Sequence, residues 1–149
     1  MSRLSLIYGG FHSIPKKDSS LSSSNPVHEI AIIGSVLEVA EEKARELDSP
    51  SIKVIKLRLG QFTAIAPEAL EFAFEIARLG TLAEHARLEI EIVLMILHCV
   101  VCDARSQPAS AMSLVCPQCG FPLKIVHGKE LQIEFIEIEE RCPDAIASA

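Results

Sequence analysis

Two closely spaced cysteine pairs constrain the fold of this chain more than any other feature of its sequence. Two residues separate Cys99 from Cys102, two separate Cys116 from Cys119, and 13 residues lie between the pairs. Two intervening residues let both sulfur atoms of a tight turn reach one ion at about 2.3 Å with tetrahedral geometry. The spacing therefore predicts a four-cysteine zinc ribbon. The alternatives are two unrelated thiol pairs or a redox C-x-x-C motif.

The remaining cysteine and two histidines complete the set of candidate ligands. Cys142 falls in the C-terminal tail, where we expect an exposed thiol, and His98 and His127 flank the cysteine pairs. An odd number of cysteines in short paired spacings is typical of metal ligation in a reducing compartment, so we predict a cytoplasmic protein. Four protein ligands leave no open coordination position, so the predicted zinc is structural and a zinc enzyme is disfavoured.

The apolar pattern outside the cysteine segment predicts an α+β lobe. Helical periodicity runs over residues 28–47 and again from Pro67 to Gly80, and alternation predicts strands over 52–59, 88–96 and 131–138. A phase slip near Phe135 predicts a bulge in the last strand. Because that strand supplies apolar alternation that the first lobe can use, we expect the cysteine segment to interrupt a sheet. The prediction is a two-helix, three-stranded mixed sheet lobe with an inserted zinc-ribbon lobe that binds its ion through four cysteines.

These patterns also divide the chain into parts. We predict a flexible leader over residues 1–26, an α/β domain over 27–97 plus 129–140, a zinc-ribbon domain over 98–128 and a loose tail over 141–149. The leader contains Gly9-Gly10 and a Ser-rich run and shows no apolar periodicity.

Charge and motif content limit the function classes. The chain has 14 basic and 20 acidic side chains, a formal net charge of -6, which argues against nucleic-acid binding. No apolar run reaches the roughly 18 residues of a membrane-spanning helix. We find neither a phosphate-binding loop nor a paired nucleophile and base, so we predict a binding protein and not an enzyme. A zinc-ribbon nucleic-acid or protein interaction module is the alternative. The segment from Ile96 to Lys129 has three basic side chains, one acidic side chain and a single aromatic residue, Phe121.

Several stretches carry a resemblance to a known family. They are His28-Glu29-Ile30, the run PEALEFAF from Pro67 to Phe74, GTLAE from Gly80 to Glu84, the two cysteine pairs, and Gly128-Lys129-Glu130-Leu131. From His28 to about Glu139 the sequence resembles the HypA/HybF family of hydrogenase nickel-incorporation metallochaperones. The resemblance implies a nickel-binding α/β lobe and a structural zinc lobe. It also implies delivery of Ni²⁺, a transient cargo, to the NiFe hydrogenase large subunit with the GTPase HypB, or to urease in some relatives.

The resemblance also implies where nickel binds. Chains of the family begin Met-His-Glu and hold nickel through the terminal amine, the His amide and imidazole, and nearby groups including the Glu. Carried over, the ligands are His28 and Glu29, with the amine on residue 27. Here residue 27 is Val and 26 residues precede it, so this nitrogen lies in a peptide bond. Either the leader is real and the site is weaker, or translation starts at residue 27 from a GUG codon. The lack of pattern in the leader favours the second.

The oligomeric state stays open at this stage. The apolar segment 90–97 would allow strand exchange between two chains, which would give a homodimer.

Overall fold

The computed structural model describes residues 5–14, 26–63, 65–107 and 114–140, and these form two α-helices and seven β-strands. In chain order the elements are β1 (Ser5–Ser13), α1 (Pro26–Glu46), β2 (Ile52–Gly60), α2 (Pro67–Ala77), β3 (Arg87–Val93), β4 (Ile96–Cys99), β5 (Ala104–Ser106), β6 (Lys124–His127) and β7 (Leu131–Glu139). A 3₁₀ turn, Gln61–Thr63, follows β2 directly.

The strands form two separate sheets. The larger sheet has the order β1-β7-β2-β3, and the smaller one has the order β5-β4-β6. In the larger sheet, β2 and β3 are parallel, whereas β7 is antiparallel to both β1 and β2. Because β7 comes after the cysteine segment and pairs with β2 from before it, the cysteine segment is inserted into the first lobe. The predicted fold class, α+β with two helices and an inserted four-cysteine lobe, is confirmed.

Both helices contribute an apolar stripe to one core with the larger sheet. The stripe of α1 buries Ile33, Val36, Leu37, Ala40 and Ala44, and that of α2 buries Leu70, Ala73 and Phe74. Ile30 and Leu47, which the helical pattern places on the first stripe, are 48% and 40% exposed because they lie at the two ends of that helix. Pro67 occupies the first position of α2, where its missing N–H leaves no hydrogen bond unmade.

The predicted flexible leader contains a strand. β1 pairs antiparallel with β7 from Ser5, opposite Glu139, to Ser13, opposite Gln132. The sheet of the first lobe therefore has the three predicted strands and a fourth. The flexible-leader prediction is wrong for residues 5–14 and for Pro26, which begins α1, while residues 1–4 and 15–25 and the tail from residue 141 lie outside the described residues. The apolar run in β1 is too short to show a period, and its hydrogen-bonding partner lies at the other end of the chain.

Side chains as well as the main chain anchor β1. Ile14, directly after the strand, is 5% exposed and belongs to the core, and its N–H donates to the Leu131 carbonyl at 3.2 Å. Tyr8 packs against the same core, and the Lys43 ammonium lies 5.8 Å from its ring centroid. By contrast, Ile7 points to the other face of the strand and is 61% exposed.

The predicted long strand over 88–96 is divided. β3 ends at Val93 and β4 begins at Ile96, in the other sheet. Between them Met95 is buried, and its N–H donates to Gln61 Oε1 at 3.0 Å. The alternation of apolar residues continues through this break, so the period alone could not locate it. The bulge predicted near Phe135 is confirmed, because the pairing with β2 skips one residue between Ile133 and Phe135.

The two lobes meet at a tight backbone junction. The Gly60 N–H donates to the Glu130 carbonyl at 2.6 Å, and the Phe62 N–H donates to the Gly128 carbonyl at 2.7 Å. A Cβ on Gly60 would overlap the Gly128 carbonyl group and would lie 2.6 Å from the Glu130 nitrogen. Gly128 has a φ of 109°, a conformation that other residues rarely adopt. The junction therefore requires glycine at both positions.

We expect Ile14→Ala to lower the free energy of unfolding by about 3 kcal/mol, because it leaves a cavity in the core. Ile7→Ala, on the exposed face of the same strand, should change it by less than about 0.5 kcal/mol. Urea titration followed by circular dichroism measures both. Equal, near-zero effects would show that β1 does not belong to the folded core.

The junction gives a second prediction. Gly60→Ala forces the end of β2 away from the backbone of Gly128 and Glu130, so we expect it to cost about 2 kcal/mol or more of unfolding free energy. Gly34→Ala is the matched control: Gly34 lies inside α1, and a Cβ added there would meet no atom from outside its own helix within 4 Å. Removing a glycine from a helix interior should stabilise the protein by up to about 1 kcal/mol. Opposite signs in urea unfolding are expected, and a neutral Gly60→Ala would contradict the packed junction.

Candidate metal centre

Two tight turns bring the four cysteines of the inserted lobe together. Their sulfur atoms all lie within 4.8 Å of one another, and Cys99 Sγ lies 3.5 Å from Cys119 Sγ. Cys99, the last residue of β4, and Cys116 are buried, whereas Cys102 is half-buried and Cys119 is exposed. The cluster thus has an inner side within the lobe and an outer side towards solvent.

A glycine and two main-chain hydrogen bonds form the second turn, which carries Cys116 and Cys119. Gly120 has a φ of 73°, and its N–H donates to the Cys116 carbonyl at 2.9 Å. The Cys116 N–H in turn donates to the Phe121 carbonyl at 2.8 Å. This pair of hydrogen bonds closes the turn and directs both cysteine side chains to the same side.

The first turn uses an aspartate where the second uses a glycine. Asp103 follows Cys102 as Gly120 follows Cys119, and it has a φ of 51°. Asp is among the few residues with a side chain that enter this region readily. Its Oδ1 lies 2.9 Å from His98 Nε2, and the Cys102 N–H donates to Cys99 Sγ at 3.4 Å. Sequence analysis missed this role of Asp103, although its position directly after a C-x-x-C pair was the available signal.

The four sulfur atoms fit one tetrahedral ion. Bonds of about 2.3 Å at tetrahedral angles separate the sulfur atoms by roughly 3.8 Å. The separation of 3.5 Å between the sulfur atoms of Cys99 and Cys119 and the limit of 4.8 Å for all pairs bracket that value. As free thiols, the cysteines differ in pKa. A hydrogen bond to Cys119 raises the pKa of Cys102 to about 12, and the backbone N–H groups of Cys119 and Gln118 lower the pKa of Cys116 to about 7. A divalent cation would allow all four to be thiolates at once. The four cysteines form one metal-binding site.

Neither flanking histidine joins this cluster. His98 faces Asp103, and His127 Nδ1 lies 3.3 Å from Glu130 Oε1. Burial opposes ionisation of Glu130, but the backbone N–H groups of Glu130 and Gly128, together with the His127 ring, lower its pKa. Among the side chains that the structure describes, the four cysteines are the one group of three or more metal-ligating residues that converges.

The predicted nickel ligands lie at the start of α1. His28 belongs to its first turn, and its side chain is outside what the structure describes. The Glu29 side chain is described and is 7% exposed, and its Oε2 atom accepts no hydrogen bond from the described part of the chain. A buried carboxylate oxygen normally has a partner, because desolvating it without one is costly. Among the described residues, Glu29 Oε2 is thus a buried acceptor without a donor, at the position that follows His28 in the chain. Cys142 lies outside the described residues.

Neither helix in the described ranges combines the length and the apolarity needed to cross a bilayer.

The chain is similar to one protein family and to named proteins of that family. A protein-family model described as "Hydrogenase/urease nickel incorporation, metallochaperone, hypA" matches residues 27–138. The hydrogenase maturation factor HypA of Roseiflexus sp. (strain RS-1) is 38% identical over 123 residues, which is 82% of this chain and all of the relative. The protein of the same name from Methylocella silvestris is 40% identical over 114 residues, 76% of this chain and again all of the relative.

Solved structures show the same fold. The solution structure of the Ni metallochaperone HypA from Helicobacter pylori superimposes with a TM-score of 0.57 at 23% identity, covering 76% of this chain and 98% of that one. A second solution structure of a HypA protein gives a TM-score of 0.61 at 23% identity, covering 77% and 98%.

We expect Cys116→Ser to abolish stoichiometric metal binding at the four cysteines and to unfold the inserted lobe, since that lobe gains its folding energy from the ion. The larger sheet has its own apolar core and should persist. Elemental analysis gives the metal content, and amide NMR spectra show which lobe loses its dispersion. Cys142→Ser is the control and should change neither. A folded inserted lobe with no bound metal in the Cys116→Ser variant would contradict the assignment.

Proposed function

Because this chain belongs to the HypA family of hydrogenase and urease nickel-incorporation metallochaperones, we propose that it binds Ni²⁺ through His28 and Glu29 and delivers it for maturation of NiFe hydrogenase. The proposal includes a structural Zn²⁺ at Cys99, Cys102, Cys116 and Cys119. The observation that carries it is the presence of two separate donor sets in the matched segment. One is the cluster of four cysteines, and the other is a helix start where a buried carboxylate oxygen accepts no hydrogen bond from the described residues.

The chemistry of the cysteine cluster supports zinc. Zn²⁺ has no geometric preference from its d electrons and accepts four thiolates in a tetrahedron. Four protein ligands complete its coordination, so the ion would hold the inserted lobe together and leave no position for water. A resident ion of this kind suits a delivery protein, which supplies a site and a surface and performs no hydrolysis.

The start of α1 supports a different ion. Imidazole nitrogen and carboxylate oxygen donors suit Ni²⁺, whereas thiolates favour Zn²⁺. Glu29 Oε2 is buried without a hydrogen bond from the described residues, and a cation beside it would compensate for its desolvation. A site with few protein ligands near one end of a helix can also release its ion, which a transient cargo requires.

The chemical state of the nitrogen of residue 27, amide or free amine, determines how many ligands this proposed site offers. The family match begins at residue 27, which agrees with a start codon there. Residues of the leader form β1 and pair with β7, so the leader no longer favours a start at residue 27. With the leader present, the site consists of side chains and internal amides. A start at residue 27 would add a terminal amine.

Partners and compartment follow from the same proposal. The resemblance names the GTPase HypB and the NiFe hydrogenase large subunit as partners, and the family description also names urease. Reduced cysteines at the metal site favour action in the cytoplasm. We propose no nucleic-acid or membrane partner, and we leave homodimer formation to measurement. The zinc-ribbon interaction module stays the alternative, supported by the exposed side chains of Val101 and Phe121 on the inserted lobe.

We expect His28→Ala to abolish nickel binding while the zinc content stays near one ion per chain. His85→Ala, an exposed histidine in the turn before β3, is the matched control and should bind nickel normally. Equilibrium dialysis with Ni²⁺ followed by elemental analysis measures both ions. Each variant is prepared as the full chain and as a chain that starts at residue 27, and circular dichroism checks that the shorter chain, which lacks β1, is folded. Stoichiometric nickel in both His28→Ala forms would refute the assignment, and tighter binding by the shorter wild-type chain would show that the amine is a ligand.

A further inference from the structure

The solvent side of α2 is apolar where a surface helix is normally polar. Opposite the buried stripe, Phe72, Ile76 and Leu79 are 69%, 53% and 65% exposed. Their spacing of four and then three residues places them in one row along the helix axis and its C-terminal turn. The seven residue steps from Phe72 to Leu79, at 1.5 Å each, give this row a length of about 10 Å. We call these three residues the α2 ridge. An apolar row of this kind marks a contact surface.

Acidic side chains accompany the α2 ridge. Glu68 lies four residues before Phe72 in α2, and Glu71 lies directly before it. Both side chains are exposed. With Phe72 they line a cleft that continues to Arg87 and Leu88 at the start of β3.

The basic residues near this cleft already have partners. Arg78 Nη2 lies 2.6 Å from a Glu75 oxygen, and Arg87 Nη2 lies 2.8 Å from a Glu89 oxygen. Within the part of the chain that the structure describes, neither Glu68 nor Glu71 forms an ion pair. The α2 ridge is thus bordered by two carboxylates that lack a cation.

We infer that the α2 ridge docks a basic amphipathic helix of a partner protein. A row of apolar residues spaced four and three apart packs into the groove of a second helix, and Phe72 is a large anchor for such a contact. The two carboxylates would pair with Lys or Arg at the edge of that helix, which favours encounter with a basic partner. The same charges repel nucleic acid, and they would face each other if two copies of this chain met through this surface.

This surface is separate from both metal sites. Its residues belong to α2 and to the turn that follows it, whereas the proposed nickel ligands lie on α1 and the cysteine cluster lies in the inserted lobe. The inference therefore does not depend on which ion the chain carries, and nickel binding should be unchanged when the α2 ridge is altered.

The test uses two fluorescein-labelled helical peptides of about 18 residues, long enough to form a stable helix. Both have the same leucine face, and their polar faces carry either lysine or glutamate. We expect the full-length, metal-loaded protein to bind the lysine peptide by fluorescence anisotropy, with an affinity that falls as salt rises. Phe72→Ser should weaken it about tenfold or more. Glu68→Gln combined with Glu71→Gln should remove most of the salt dependence and leave a weaker apolar contact.

Ile7→Ser, which changes an exposed apolar residue on β1, is the matched control and should bind as the parent does. Circular dichroism confirms that each variant is folded, and nickel dialysis shows whether cargo binding survives. No binding of the lysine peptide, equal binding of both peptides, or an unchanged affinity in Phe72→Ser would each overturn the inference. A dimer detected by light scattering that dissociates in Phe72→Ser would also overturn it, because the occupant would then be a second copy of this chain.

Discussion

The pairing of β7 with β2 is the interaction on which the rest of the structure depends. Leu59 stands opposite Leu131, and Gly60 stands opposite Val93, so the two connections to the inserted lobe leave the larger sheet at the same end. The junction at Gly60, with its close approach to the Gly128 carbonyl, follows from that register. The inserted lobe is attached by two short connections at one end of the larger sheet, and its three short strands bury little apolar surface. It therefore needs a stabilising interaction within the lobe itself. The four cysteines supply that interaction when they hold an ion.

Local signals accounted for the elements that the sequence predicted correctly. Pro67 and the stripe at Leu70, Ala73 and Phe74 define α2 without reference to the rest of the chain. The phase slip near Phe135 located the bulge, since a shift in a period-two pattern moves side chains to the other face of the sheet. The cysteine spacing specified the turns, because two residues between ligands fix their geometry.

The features that the sequence could not predict depend on contacts between residues far apart in the chain. β1 is recognised through its partner β7 and the burial of Ile14, and neither is visible in a run as short as Leu6-Ile7-Tyr8. The break between β3 and β4 keeps the alternation intact, and the buried Met95 and its hydrogen bond to Gln61 mark it only in three dimensions. The positive φ of Asp103 was missed because that conformation is usually sought at glycine. The sequence also could not show that Glu29 is buried.

The separation of the two donor sets has a chemical consequence for the proposed function. Most protein sites bind the first-row divalent ions in the same order of affinity, so a chain that handles two metals must select by donor type and geometry. Four converging thiolates favour a tetrahedral ion and give it no open position. The proposed ligands His28 and Glu29 would offer fewer and harder donors, which would suit Ni²⁺ and allow its release. If the cargo shared the thiolate cluster, each delivery would remove the ion that folds the inserted lobe. With the cargo on α1, as proposed, the protein would lose nickel and keep its shape.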